Sequence, residues 1–284
     1  MHPRLLALTA LRTAEPIAKV TATRAAWLAC AESAESPTRT PTGLQALRVP
    51  GDEAGVPGRL DQPVLVRAIS MPRRSPFPLE GRAALVHSIC HIEYNAINLA
   101  LDAVWRYDGM PEAYYRDWLR VADEEALHFT LLQDHLRAMG WEYGDFTAHD
   151  GLWTMCDKTR DDIVARMALV PRTLEARGLD ATPLVQTKLK RVNTPDALRA
   201  VEILDIILRD EVGHVAVGNH WYRWLCERDG LDPVAHYRKL YQQYEAPRLR
   251  PPYNLEARAR AGFTQEELDS LGALWDPIEG QPVR

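Results

Sequence analysis

Apolar positions recur every three or four residues through most of this chain, the period of a helix with one buried face. The stretch from Pro16 to Ala34 has helical composition. From Ser36 to Pro78 the pattern fails, and prolines stand at 37, 41, 50, 57, 63, 72, 76 and 78. Each fixes φ and removes a backbone donor, so this segment is expected to be an extended strap around the body, or a linker. From Glu80 the helical period returns. It predicts a long helix to Tyr107, a turn at Asp108-Gly-Met-Pro111, and a second helix to Met139 closed by Gly140. After a loop from Trp141 to Asp150, a third helix reaches Arg177, with a kink or break at Pro171 and an end or bend at Gly178. A short helix over Pro183–Arg191 precedes a fourth long one, begun by Thr194-Pro195-Asp196 and run to Arg228. A fifth, Asp232 to Tyr244, leads to an irregular stretch from Ala246 to Asn254. Thr264-Gln-Glu-Glu267 has the form of a capping box opening a short last helix.

No run of alternating period appears, so the expected fold is all-α. Four long helices with short or moderate connections argue for a four-helix bundle, the first two being antiparallel neighbours. The expected division is an N-terminal helix and Pro-rich strap over 1–79, a bundle over 80–230 and a C-terminal helical extension over 231–284.

Composition narrows the function more than the fold. The chain has 284 residues and a formal charge of −5, with 46% hydrophobic and 26% charged residues. That is an ordinary water-soluble balance. A large phosphate-gripping surface would need a basic chain, so strong nucleic-acid binding is not expected. The basic tail of Arg248, Arg250, Arg258 and Arg260 reads as solvated surface. No apolar run reaches membrane-span length, and the start is too short in apolar residues for a signal peptide, so the expected location is cytoplasmic. Cys30, Cys90, Cys156 and Cys226 are widely spaced, which fits reduced core residues rather than a disulfide framework or zinc ribbon.

The chemistry lies in a short pattern that occurs twice: Glu124-Glu125-Ala-Leu-His128 on the second helix and Asp210-Glu211-Val-Gly-His214 on the fourth. Residues three apart lie on one face a turn apart, so the Glu and His of each can reach one metal ion. A single Glu-x-x-His is weak evidence. Two of them on alternate helices of a bundle form the pattern of carboxylate-bridged di-metal proteins, which require one further Glu on each remaining helix. At about 100° per residue, Glu93 falls in the middle of the apolar stripe of the first long helix, among Val86, Ile89, Ala96, Ile97 and Ala100. His87, His91, Asn95, Asn98 and Asp102 fall on the far side, so His87 and His91 are read as contacts to helices or strap. On the third helix Glu175 shares a face with Val164, Ala168 and Pro171, and an ion pair with Arg172 or Arg177 is its alternative role. Asp210 is a candidate to hold a ligand histidine from behind.

The segments Leu85–Asp102, Ala122–Phe129, Val170–Asp180 and Leu208–Val215 resemble a bacterial ferritin-like family catalogued as domain of unknown function 455. The likeness extends over nearly the whole chain, strap included. Leu174-Glu-Ala-Arg177 is locally similar to the third-helix ligand segment of the tRNA hydroxylase acting on 2-methylthio-isopentenyl-adenosine, which supports Glu175 as a ligand without transferring that substrate. The resemblance implies a ferritin-like bundle with extra helices at both ends.

Carboxylate and imidazole ligands suit iron, or manganese as the alternative. The expected centre places Glu93, Glu125 and His128 at one ion and Glu175, Glu211 and His214 at the other. The expected activity is that of a dioxygen-using oxidoreductase or hydroxylase acting on a small molecule or modified nucleoside, fed by an unidentified electron donor. Iron sequestration or peroxide scavenging, and a metal-free structural bundle, are the alternatives. A monomer or homodimer is expected rather than a cage.

Overall fold

The computed structural model describes residues 2–34 and 55–274. Eleven α-helices are seen among them, with no strand beyond one isolated bridge between Leu65 and Ala148. In chain order they are α1 (Pro3–Arg12), α2 (Pro16–Ala34), α3 (Leu79–Arg106), α4 (Glu112–Ala138), α5 (Gly151–Lys158), α6 (Ile163–Leu169), α7 (Ala176–Val192), α8 (Pro195–Asp229), α9 (Pro233–Gln243), α10 (Leu255–Arg260) and α11 (Gln265–Asp269). A π-helical turn, Val170–Glu175, joins α6 to α7. The all-α expectation holds. The fourth and fifth predicted helices agree with α8 and α9 to within a residue or so at each end.

The chain falls into two compact units: Met1–Trp153 with Lys188–Ile203, and Thr154–Thr187 with Leu204–Arg284. These ranges cut the chain differently from the three segments expected at 79/80 and 230/231.

In the first unit, α3 packs along α4, and α1 and α2 pack on this pair. α1 is not among the predicted helices, although Arg4, Ala7, Leu8 and Leu11 are buried at helical spacing. Gly109 takes a φ of 72° in the turn between α3 and α4, a conformation costly for any side chain. The strap residues 35–54 lie outside the described residues. From Gly55 onward the strap does wrap this unit. The Gly58 N–H donates to Leu11 O, Tyr94 Oη to Gly58 O, the Val66 N–H to Ala148 O and the Ala148 N–H to Val64 O. Arg59 makes a bidentate ion pair with Asp150.

The far side of α3 is buried too. Lys19 Nζ donates to Leu11 O and to Asn98 Oδ1, Asp102 holds Arg106, and His87 accepts from the Gly144 N–H. His91 Nδ1 lies 2.8 Å from Tyr143 Oη. His87 and His91 thus meet the loop after α4, through Gly144 and Tyr143, rather than the strap or helix contacts expected of them, and the face is not solvated.

The second unit corrects two expectations. First, α7 runs unbroken through Gly178 and Pro183, where an end or bend and a separate short helix are predicted. Pro183 cannot donate to the carbonyl four residues back, that of Leu179, and Asn254 Nδ2 takes this acceptor instead at 3.1 Å. Second, Arg258 is no solvated tail residue. It is buried, donates twice to Asp180 and once to Ala176 O. Leu255–Arg260, for which the pattern predicts no element, forms a helix capped by Asn254. The predicted capping box is present, with Thr264 and Glu267 satisfying each other's backbone N–H groups. Around it Leu179, Val215, Ala257, Phe263 and Leu271 form a core. All four cysteines are free and buried, as expected. No helix among the described residues is long and apolar enough to cross a membrane.

Candidate metal centre

In the first unit α3 supplies Glu93 and α4 supplies Glu125 and His128. The three side chains are 3%, 0% and 0% exposed. His128 Nδ1 stands 3.3 Å from Glu93 Oε2 and 3.2 Å from Glu125 Oε2, and one ligand atom from each residue lies within 4.8 Å of the others. Helical geometry sets this up. Glu125 and His128 are a turn apart on the buried face of α4, with Trp118, Val121, Phe129 and Leu132 buried around them, and α3 packs against that face.

The charge balance of this triad is telling. Two buried carboxylates face one imidazole, which carries at most one positive charge. Bringing buried carboxylates together is expensive, and a bound cation offsets that cost. The donor set of two carboxylates and an imidazole is one that iron and manganese accept, and it contains no thiolate. The residues therefore fit a metal ion.

In the second unit α8 supplies Glu211 and His214, again a turn apart, with His214 Nδ1 at 3.8 Å from Glu211 Oε1. His214 is fully buried, and Glu211 nearly so. Glu175 is buried as well, at the last position of the π turn. Such turns occur where a helix re-aims a side chain, often at functional sites. The alternative role for Glu175, an ion pair with Arg172, is not what Arg172 does. Its guanidinium donates to Glu267 Oε1 at 2.6 Å and to Asn219 Oδ1 at 2.5 Å, and it stacks on Tyr222, Tyr237 and Phe263. Arg177 is exposed. The π turn is braced by Thr173 Oγ1, which donates to Ala168 O five residues back and meets Tyr237 Oη at 2.8 Å. Asp210 accepts two hydrogen bonds from its neighbour Arg209.

Arg172 and Glu267 are residues that sequence reasoning gave no structural role of this kind. Arg172 is fully buried, and burial would raise the Glu267 carboxyl, yet Arg172 and Arg223 hold it below the usual range. Only the 95-residue separation of this pair hid it; the capping box had already marked Glu267.

A family model described as "Protein of unknown function (DUF455)" matches residues 12–269. An uncharacterized protein of Haemophilus influenzae is 50% identical over 216 residues, which cover 74% of this chain and 74% of that one. No solved structure matches.

Proposed function

The chain belongs to the DUF455 family, and we propose that it is a di-metal carboxylate protein of ferritin-like architecture, loaded with iron, that acts as a dioxygen-using oxidoreductase. The observation that carries this reading is the buried Glu93–Glu125–His128 triad, whose ligand atoms converge within 4.8 Å as the donors of a metal ion do. Glu175, Glu211 and His214 are proposed to complete the centre, because the doubled Glu-x-x-His motif with one Glu on each remaining helix is the ligand set of such bundles.

A bound di-iron centre of this kind supplies the power to activate dioxygen for attack on an unreactive C–H bond. The chain's own residues do the rest. The two glutamate–histidine pairs orient their donors from rigid helix turns. Trp118, Phe129 and Leu132 share the ligand face of α4 and keep water from the carboxylates. The proposed substrate is a small molecule or modified nucleoside, and the proposed assembly is a monomer or homodimer.

Aerobic loading of the metal-free protein with ferrous iron tests this reading. Uptake that saturates at about two ions per chain supports an enzyme centre. Uptake that continues to many ions per chain assigns storage instead, and no uptake leaves a structural bundle.

A further inference from the structure

The strap from Gln62 to Leu79 carries Arg67, Arg73 and Arg74 and no acidic residue, in a chain whose formal charge is −5. It is also where apolar side chains meet water. Leu60, Val64, Leu65, Ile69, Phe77 and Leu79, nearly half of the large apolar side chains exposed among the described residues, lie in or just before this stretch. Exposed apolar side chains scattered singly need no explanation, but a group of them edged by charge marks a surface that meets a partner.

The backbone that presents this group is fixed. Met71, Pro72 and Arg74 line a cleft against Leu85 of α3 and Phe146. Arg82 of α3 donates to the carbonyls of Pro76 and Phe77, and the Ser70 N–H donates to Arg67 O across a 3-10 turn. From this anchored backbone Ile69 and Phe77 stand 87% and 64% exposed. A segment already ordered in the free protein costs a partner little further ordering. Arg74 is engaged by the Phe146 ring and by Glu80. Arg67 and Arg73 are exposed and have no ion pair among the described residues.

The charge selects an anionic partner, and the apolar tips select its kind. Apart from Phe77 the tips are aliphatic, whereas recognition of single-stranded nucleic acid relies on aromatic rings that stack on bases. Prolines at 63, 72, 76 and 78 withhold the backbone donors that an added strand would need. A bilayer interface requires neither. It takes apolar tips into the headgroup boundary while cations beside them meet lipid phosphates.

We infer that the strap is a peripheral docking surface for an anionic lipid bilayer. Ile69 and Phe77 enter the interface, and Arg67 and Arg73 contact the lipid phosphates. The inference is independent of the metal reading.

Sedimentation of the full-length protein with lipid vesicles tests it. Vesicles of equal parts phosphatidylglycerol and phosphatidylcholine are expected to carry the protein down, and those of phosphatidylcholine alone to bind it at least about tenfold more weakly. Ile69→Ser/Phe77→Ser and Arg67→Gln/Arg73→Gln should each weaken binding to the mixed vesicles about tenfold or more. All four side chains are exposed, so both variants are expected to keep the wild-type dichroism and melting temperature. No sedimentation with the mixed vesicles, equal binding to the two compositions, or binding that either double variant leaves intact would overturn the inference. Binding of RNA that the arginine variant loses and the Ile69→Ser/Phe77→Ser variant keeps, with no binding to vesicles, would assign the surface to nucleic acid instead.

Discussion

Gly218 on α8 passes Pro171 of the π turn so closely that no side-chain carbon fits between them: a Cβ at 218 would stand 2.5 Å from Pro171 Cβ and 2.7 Å from its Cγ. The obstacle is a rigid ring, not the free end of a flexible side chain. Gly218→Ala is therefore expected to destabilise the protein by about 1–3 kcal/mol, as overpacking does. Because Glu175 closes the same turn, the variant should also weaken metal loading. Chemical denaturation checks the first effect and a metal titration the second. An alanine tolerated without loss would mean that α8 and the turn yield more readily than this contact implies.

Glu93 separates a metal site from a structural ion pair. In the metal-free protein the Glu93 and Glu125 carboxylates crowd one imidazole. Glu93→Gln removes one buried charge and keeps the shape. The metal-free variant is expected to melt at the same temperature as wild type or higher, while its metal affinity falls at least about tenfold. A clear drop in melting temperature with metal binding intact would make Glu93 a structural partner of His128.

Arg172 and Glu267 form a buried pair whose members cannot be removed singly without cost. Arg172→Met leaves a buried carboxylate with Arg223 as its remaining cation, and should cost about 3–5 kcal/mol. Arg172→Met/Glu267→Gln should cost less than the two single changes summed. The pair also sets a pH dependence. The folded-state carboxyl of Glu267 lies below its ordinary value, so the pair's stabilisation is full above that ordinary value and drains away as pH falls through the lowered one. Glu267→Gln should flatten that acid limb of the stability profile.

Lys19 shifts stability in the same direction, but at the alkaline end. Burial first, and then the Arg59 charge, bring its amine down to about 7. Between pH 7 and its ordinary value near 10.5 the unfolded chain binds the proton that the folded chain has released. Stability from this residue therefore rises as pH climbs through that window. Melting temperatures of wild type and Lys19→Met across pH 6 to about 10 should diverge in that sense, wild type gaining on the variant.

Much of this was legible in the sequence, for reasons that can be named. The limits of α3, α4 and α8 were marked by Gly109, Gly140, Pro195 and Gly230, residues whose backbone rules act locally. The placement of Glu93, Glu125 and His128 on buried faces followed from the period of a regular helix. What escaped depended on distant partners. His87, Asn98 and Asp102 could be placed only on the far side of α3, because α1, α2 and the loop after α4, which cover them, come from elsewhere in the chain. Pro183 read as a helix start because nothing local shows that Asn254 will take the orphaned carbonyl. Glu175 shows the third limit. Reckoning at about 100° per residue fails across a π turn, where the chain winds more widely. Its face could be assigned only once the turn itself was seen.

Elemental analysis of protein purified from iron-supplemented cells, beside Glu125→Ala/His214→Ala, tests the central claim most directly. The di-metal reading predicts about two iron or manganese ions per chain in the wild type and their loss in the double variant. A wild type that is metal-free, and stays so after anaerobic incubation with ferrous iron, would contradict it.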